Sequence, residues 1–186
     1  MKQGNAVPGQ AGPDDATATQ LRAPLATDGS RVWDLIQATP ALDANSLYAN
    51  LLQCSDFAET CAVAERDGQL VGWMSGYRPP NQPDTLFVWQ ICVSAAARGQ
   101  GLGQRLVAEV LARPSNQSIR QVTCTITEAN AASWALFGAI ARAFDAPLER
   151  TERFAGDAHF AGRHDSEFAV TIGPIHRDRA ASLAAA

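Results

Sequence analysis

The sequence contains a glycine-rich segment with the spacing of an anion-binding turn. Three glycines fall within the six residues Arg98–Gly103 (RGQGLG), directly after the apolar run LFVWQICV and before a stretch with helical spacing. Glycine is unfavourable inside regular structure, so this repetition indicates backbone that needs positive φ or approaches a ligand closely. A turn from a strand into a helix presents free N–H groups at the positive helix end, and such turns bind phosphates.

The spacing of these glycines excludes two common phosphate motifs. The dinucleotide motif G-x-G-x-x-G requires a glycine three residues after Gly101, where Gln104 stands. A nucleotide-binding P-loop requires Gly-Lys-Ser/Thr, and the only lysine in the chain is Lys2. The spacing that remains is Arg98-x-x-Gly101-x-Gly103, and the alternative is a tight strand–helix turn without a ligand.

Composition limits the classes of protein to consider. The 186 residues are enough for one globular domain with a sizeable core. The net charge of −4 and the single lysine leave no basic stripe, so we expect no nucleic-acid partner. No apolar run approaches the roughly 20 residues of a membrane span, and no secretory signal is visible at the N-terminus. The four cysteines form no C-x-x-C pair, which favours buried reduced thiols of a cytoplasmic protein over a disulfide or zinc site.

The pattern of apolar residues predicts one folded domain between two tails. Residues 1–20 are poor in residues that could be buried and are predicted to be a disordered tail, and residues 175–186 a loose one. Within 21–174, apolar residues at helical spacing predict two helices before a hairpin centred on Asp67–Gly68. Strands follow at 85–93, 120–127 and 166–173, with helices after the glycines and over 130–144. This order predicts a mixed α/β sheet rather than repeated βαβ units.

The turn and this order of elements together resemble the acetyl-CoA signature of the GNAT superfamily of N-acetyltransferases. The resemblance implies the GNAT (acyl-CoA N-acyltransferase) fold, an α/β fold with a mixed, mostly antiparallel sheet flanked by helices. It implies that Ile91, Cys92 and Val93 pair with the pantetheine arm and that Asn130 contacts it. The amides that would bind the CoA pyrophosphate are those of Arg98, Gly99, Gln100, Gly101, Leu102, Gly103 and Gln104.

One position departs from the family pattern. Many members have a tyrosine seven residues after the asparagine, which protonates the leaving CoA thiolate, whereas this chain has Phe137. A thiol with a pKa near 8.5 is a tolerable leaving group at neutral pH, so the loss of that tyrosine need not abolish catalysis. The departure leaves the acid unassigned, and it keeps open a non-catalytic acyl-CoA-binding regulator as an alternative function.

Four further segments resemble one family within the superfamily. They are LDANSLY, PDTLFVWQ, NAASWALF and HFAGRHDSE, and they are similar to L-2,4-diaminobutyrate acetyltransferases of ectoine biosynthesis. The resemblance implies acetyl transfer from acetyl-CoA to the N4 amine of L-2,4-diaminobutyrate by a cytoplasmic homodimer, with ectoine synthase cyclising the product. The alternative within enzymes is a GNAT acetyltransferase of another small amine or amino acid.

The chemistry of such a substrate indicates roles for the residues in these segments. Two amines and a carboxylate need charged partners, and Asp43, Glu167 and Asp165 supply carboxylates for the amines. Tyr48 and Trp89 can wall the short aliphatic chain. These side chains have simpler interpretations as well, because Asp43 would serve equally as a helix cap and Trp89 as a core residue.

The transfer also needs a general base and an oxyanion donor. We expect Glu167 to be the base, with Asp43 as the second choice, and a backbone N–H near Val93 to donate to the thioester carbonyl. His164 would orient Glu167 or the substrate carboxylate. The spacing of His159 and His164 matches no zinc motif and the transfer requires no metal, so we expect none.

Overall fold

The apolar run before the glycine turn forms strand β4, Thr85–Val93, in the middle of a seven-stranded sheet. The computed structural model describes residues 18–39, 42 and 45–184. The other strands are β1 (Gln20–Arg22), β2 (Ala62–Arg66), β3 (Gln69–Tyr77), β5 (Gln121–Thr127), β6 (Leu148–Phe154) and β7 (Glu167–Ile172). The helices are α1 (Gly29–Gln37), α2 (Leu47–Ser55), α3 (Leu102–Ala112), α4 (Ala131–Ala143), α5 (Gly156–Phe160) and α6 (Arg177–Ala184).

The strand order is β1-β2-β3-β4-β5-β7-β6, and every neighbouring pair is antiparallel except β4 and β5. The chain between the parallel pair passes through α3, because parallel neighbours need a crossover connection. The predicted mixed, mostly antiparallel sheet flanked by helices is confirmed. Among the described helices, none is long and apolar enough to cross a membrane.

Strands β4 and β5 separate part-way along their length. They pair between Thr85–Phe87 and Gln121–Thr123, and no further pair joins them within the described residues. The register of β4 on β3 shifts between Ser75 and Gly76, which leaves Trp89 as an extra residue. Such a bulge bends its strand and increases the local twist. The two strands therefore diverge in a V. Beyond Phe87, the edge of β4 that faces β5 has no strand beside it within the described residues.

Apolar side chains fill both faces of the sheet. The larger core joins α3, α4 and the centre of the sheet, and its fully buried large side chains include Met74, Leu86, Leu106, Ile140 and Phe144. A smaller core lies under α1 and includes Val32, Ile36, Val63, Trp73 and Cys92. Because both faces of β4 contribute to these cores, its continuous apolar run reflects burial on two sides.

The cysteines take the form that the sequence predicts. All four are buried and free. Burial raises the pKa of Cys54 and that of Cys61 to about 12. Both thiols therefore stay neutral at physiological pH, which makes them unreactive packing residues.

The C-terminal part of the chain differs from the sequence prediction in two places. Strand β6, with the sequence LERTERF, was not expected, because an exposed edge strand shows no apolar alternation. Residues 177–184, predicted within a loose tail, form α6, which packs on α3 with Ile175 and Ala180 buried. Of the predicted N-terminal tail, residues 18–20 are described and Gln20 begins β1; residues 1–17 lie outside the described part.

An almost fully buried carboxylate joins α1 to the edge of the sheet. Asp28 is 3% exposed and accepts hydrogen bonds from Arg22 (2.6 Å), Arg31 (2.9 Å) and the Leu25 N–H (2.9 Å). Glu65 on β2 pairs with the same two arginines at 2.7 and 3.2 Å. Burial alone would raise the pKa of Asp28, but the hydrogen bonds and the arginine charges together hold it below its ordinary value.

We expect Asp28→Asn to lower the free energy of unfolding at pH 7 by about 1–3 kcal/mol, since the arginines that lose their partner are only partly exposed. The folded pKa is depressed, so the stabilisation is complete above the unfolded pKa of about 4 and disappears as the pH falls through the folded value. Urea unfolding at pH 7 and pH 3 measures this, with the exposed Asp34→Asn as control. A difference from wild type that is as large at pH 3 as at pH 7 would contradict the argument.

Candidate active site

The glycine turn presents a row of free backbone donors. Gly99 has φ +76° and Gly101 φ +70°, a region that other residues seldom adopt. Gly101 is the N-cap of the 11-residue helix α3. The N–H groups of residues 99–103 have no hydrogen-bond acceptor among the described residues. Successive free N–H groups at the positive end of a helix form a concave site for an anion such as a phosphate.

The two end residues of the predicted phosphate-binding segment already have backbone partners. The Arg98 N–H donates to the Ala95 carbonyl at 3.4 Å, and the Gln104 N–H donates to the Gly101 carbonyl at 3.1 Å. Arg98 Nε also donates to the Val93 carbonyl at 3.1 Å, which places a positive charge at the foot of the turn. The turn therefore has five free amides, where the sequence indicated seven.

A first cavity extends from this turn to the beginning of α4. Its lining residues are Thr39, Leu42, Ile91, Cys92, Val93, Ala97, Arg98, Gly99, Gly101, Leu102, Gly103, Gln104, Asn130, Ala132, Ser133 and Leu136. The predicted cofactor-binding residues are thus brought together, with the exception of Gln100. The side chain of Gln100 bonds instead to Arg66 (2.9 Å) and to the Ala96 carbonyl (3.2 Å).

A second cavity adjoins the first and lies between β4 and β5. Its lining residues are Leu42, Asn45, Val88, Trp89, Gln90, Ile91, Cys124, Thr125, Ile126, Thr127, Asn130, Ser133, Leu136, Phe137, His164 and Glu167. The V between β4 and β5 is what makes room for it. Three predicted substrate-binding residues, Trp89, His164 and Glu167, meet here although 78 residues of sequence separate Trp89 from Glu167 (167 minus 89).

Of the other predicted substrate-binding residues, the two that the structure describes are not among the lining residues of this cavity. Tyr48 is 70% exposed, because it shares the solvent-facing side of α2 with Leu51 and Ser55. Asp165 is exposed in the loop before β7. Asp43 lies outside the described residues. Neither Tyr48 nor Asp165 lines the cavity, and their predicted contact with the substrate stays a prediction.

The tautomer of His164 follows from its hydrogen bond. Its Nδ1 lies 2.8 Å from the Asp165 carbonyl oxygen, which can only accept. Nδ1 therefore carries the proton and Nε2 of the neutral ring is an acceptor. The ring also packs against Phe160, with 4.8 Å between centroids. His164 thus presents a lone pair rather than a proton to a ligand.

Sequence reasoning missed a pair of amides in the second cavity. Asn45 Nδ2 donates to Gln90 Oε1 at 3.0 Å, which links the chain before α2 to β4. Asn45 does not cap α2, because the cap is Ser46, whose Oγ accepts from the Ala49 N–H at 3.1 Å. Both amides belong to segments that the sequence had already singled out. Their contact was not readable, because it depends on the bulge in β4.

The electrostatics of the second cavity keep the thiol of Cys124 neutral. Burial raises the pKa of Cys124, and the charge of Glu167 raises it further. Cys124 is therefore not available as a nucleophile. Glu167 begins β7 and pairs with Thr127 of β5, so its position is set by the sheet. Within the described residues, no three His, Cys, Asp or Glu side chains gather in the way a metal site would need.

The carbonyl oxygen of the Asn130 side chain takes part in a hydrogen bond within the protein. As the N-cap of α4, its Oδ1 accepts from the Ser133 N–H at 3.1 Å. The assignment of oxygen and nitrogen follows, because an N–H needs an acceptor. The amide NH2 of Asn130 is left as a donor where the two cavities meet.

Comparison with known proteins agrees with this geometry. Residues 30–140 match the model of the Acetyltransferase (GNAT) family. L-2,4-diaminobutyric acid acetyltransferase of Methylotuvimicrobium alcaliphilum is 48% identical over 155 residues, which cover 83% of this chain and 90% of the relative. The chain belongs to the diaminobutyrate acetyltransferases of the GNAT family.

Two further members are similar over nearly the same span. The Halomonas elongata enzyme of the same name is 42% identical over 89% of this chain and 86% of its own length. The diaminobutyrate acetyltransferase of Paenibacillus lautus, solved with its substrate L-2,4-diaminobutyric acid and coenzyme A, has a TM-score of 0.79 at 35% identity. That match covers 85% of this chain and 96% of the solved one. The predicted GNAT fold is therefore confirmed.

If the turn binds the phosphates of coenzyme A, a methyl group added to one of its glycines should weaken that binding. We expect Gly101→Ala to weaken binding of coenzyme A about tenfold or more, because an alanine at φ +70° strains the backbone by about 1–2 kcal/mol and misaligns the free amides. Calorimetric titration with coenzyme A measures the affinity. Gly68→Ala is the matched control, since Gly68 has φ +74° in the β2–β3 hairpin with no atom near an added Cβ. Equal affinities in the two variants would contradict a role for the turn.

Proposed function

We propose that this protein transfers the acetyl group of acetyl-CoA to the N4 amine of L-2,4-diaminobutyrate, the acetylation step of ectoine synthesis. The observation that carries the proposal is the junction of the two cavities. One contains five free turn amides, and the other contains Glu167, His164 and Trp89. The first suits a donor that carries phosphates, and the second suits a small cationic amine. The substrate of the related diaminobutyrate acetyltransferases supports this choice of amine.

Acetyl-CoA, the acetyl donor of the GNAT family, fits the first cavity. The turn amides would receive its pyrophosphate, and Arg98 adds a positive charge beside them. The open edge of β4 at Ile91–Val93 offers backbone groups for the amides of the pantetheine arm, and the free NH2 of Asn130 offers another donor. The donor brings a thioester, whose carbonyl carbon is open to attack by an amine.

The second cavity suits the charges of L-2,4-diaminobutyrate. Its two ammonium groups need acceptors, and Glu167 provides a carboxylate on a fixed strand position. Asp43 provides a second one in our proposal. His164, with its Nε2 lone pair, is suited to accept from an ammonium and would bind a carboxylate only in its protonated form. Trp89 supplies an apolar wall for the two methylene groups of the chain.

Glu167 is the proposed general base. An ammonium must lose a proton before its nitrogen can attack, and Glu167 would take that proton directly or through one water. The Val93 N–H is the proposed donor to the carbonyl oxygen, which gains negative charge during attack. Together these groups bring the amine and the carbonyl into one orientation, which removes much of the entropic cost of a reaction between two molecules.

The product of the reaction tests the function. We expect purified protein to release CoA thiol rapidly with acetyl-CoA and L-2,4-diaminobutyrate, and NMR to place the acetyl group on N4. Ornithine, lysine and putrescine should react at least about tenfold more slowly, because ornithine and lysine have longer side chains and putrescine lacks the carboxylate. A higher rate with one of these amines would show that it, and not L-2,4-diaminobutyrate, is the substrate. Binding of acetyl-CoA without turnover of any amine would favour a regulator.

Removal of the Glu167 carboxylate tests the base. We expect Glu167→Gln to lower kcat about 100-fold or more, because the glutamine amide keeps the shape but cannot accept the ammonium proton. Steady-state rates over a pH series measure the loss, and the matched control is Glu149→Gln on the exposed strand β6. A variant that raises KM for the amine and leaves kcat unchanged would show that Glu167 binds the substrate without acting as the base.

The resemblance also supports three proposals about the protein's setting. We propose that it is a homodimer, for which light scattering should give twice the chain mass of 19.7 kDa. We propose a cytoplasmic location and a role in osmoadaptation, since ectoine is a compatible solute. Fractionation of cells grown in high salt tests both.

A further inference from the structure

The place where the two cavities meet contains few polar side chains. The residues that line both cavities are Leu42, Ile91, Asn130, Ser133 and Leu136. Of these, only Asn130 and Ser133 have polar side chains. With the donor in one cavity and the amine in the other, the reacting thioester must lie at this junction. Any side chain that serves the sulfur atom as it leaves must therefore be found here.

The hydroxyl of Ser133 is not used by the fold. Its backbone N–H is the partner of the Asn130 cap, whereas its Oγ has no hydrogen-bond partner among the described residues. Helical serines elsewhere in the chain bond back to a carbonyl, as Ser55 does to Leu51 (2.8 Å) and Ser182 to Asp178 (3.0 Å). Ser133 is in the first turn of α4, where no preceding helical carbonyl is available. Its hydroxyl is left for a ligand.

The residue one helical turn further along cannot supply a proton. Phe137 follows Ser133 by four positions on α4, so the two side chains share one face of the helix. Phe137 lines the second cavity and is 5% exposed. Its ring has no hydrogen to donate. Of these two neighbours, Ser133 alone carries a donor, and it lies closer to the junction.

The first turn of α4 also favours negative charge at this point. Helix α4 has 13 residues, and its amino end carries a positive partial charge. Thiols near such helix ends ionise more readily than free thiols. A sulfur atom that gains negative charge beside Ser133 is thus stabilised by the helix, and the hydroxyl needs only to deliver a proton.

We propose that Ser133 relays a proton to the sulfur of the leaving CoA, a role that rests on the proposed acetyl transfer. The bond between N4 and the acetyl carbon forms, and the bond between that carbon and sulfur breaks. One proton of the ammonium has gone to Glu167. A second proton moves from the same nitrogen to Ser133 Oγ. At the same time, the hydroxyl proton of Ser133 moves to the sulfur. The products are the neutral amide and the CoA thiol, and Ser133 is restored.

Kinetics of Ser133→Ala provide the first test. The substitution keeps the backbone N–H that donates to the Asn130 cap, and alanine is the best helix former, so the fold should be unchanged. We expect kcat to fall about tenfold to 100-fold, with KM for both substrates within about twofold of wild type. Ser133→Thr, which keeps the hydroxyl, should retain most of kcat. The control is Ser182→Ala on α6, which should match wild type.

Titration of bound CoA provides a second test that needs no turnover. Thiolate absorbance of the CoA complex, read against the complex with desulfo-CoA, gives the pH at which the bound thiol ionises. We expect this midpoint to be about one pH unit higher in Ser133→Ala than in wild type, a tenfold smaller thiolate population at a given pH. Burial raises the pKa of Cys54 and of Cys61 to about 12, so these thiols stay silent in that range.

The outcomes separate this proposal from the proposed function. A wild-type protein that fails to acetylate L-2,4-diaminobutyrate would overturn the function, and the titration would still test the hydroxyl. Wild-type turnover together with an unchanged kcat and an unchanged midpoint in Ser133→Ala would overturn the relay. A loss of kcat in Ser133→Thr as large as in Ser133→Ala would also overturn it, since the hydroxyl would then not be the group that matters.

Discussion

The separation of β4 from β5 is the constraint on which the rest of the site depends. A closed sheet would fill this space with strand-to-strand hydrogen bonds and leave no room for a ligand. Here the pairing ends at Phe87 and Thr123, after which the bulge at Trp89 turns β4 away. Both cavities lie along the opening. The unpaired edge of β4 lines these cavities and not the outer rim of the sheet. It is therefore less able to pair with another chain, which is how open strand edges cause aggregation.

In the proposed reaction, the two substrates meet different kinds of group. The side that receives the donor relies on backbone: the free amides of residues 99–103 and the open edge of β4. The side that receives the amine relies on side chains, among them Glu167 and His164, which rise from strand β7 and the loop before it. Backbone sites tolerate changes of side chain, whereas the amine side can be altered by single substitutions. This division suits a family that keeps one donor and varies its acceptors.

The sequence predicted the parts of the fold that are set by local pattern. The turn at Gly99 and Gly101 and the apolar strand 85–93 were readable, because glycine spacing and continuous hydrophobicity are local properties. Strand β6 was not, since LERTERF gains its partner only from β7 and exposes nearly all its side chains. Helix α6 looked like a tail, because its sequence RDRAASLA, with a single leucine and small alanines such as the buried Ala180, carries little hydrophobic signal.

The candidate site was predictable in its segments but not in its geometry. Trp89, His164 and Glu167 were identified from resemblance, and the structure brings them together. Tyr48 belonged to the right segment but to the exposed face of α2. The roles of Gln90 and Ser133 depend on the bulge in β4 and on the cap of α4. Such features arise when elements pack, so neither spacing nor composition reveals them.

The way in which the turn is built has a consequence for work at high ionic strength. Residues 98–104 contain a single charged side chain, Arg98, and their remaining donors are neutral N–H groups. Salt ions weaken attraction between exposed charges at a distance but have little effect on hydrogen bonds at contact distance inside a cavity. A turn of this kind keeps its affinity for a phosphate when the salt concentration of the solution rises. Binding of the donor by this turn therefore depends little on the charge interactions that salt weakens.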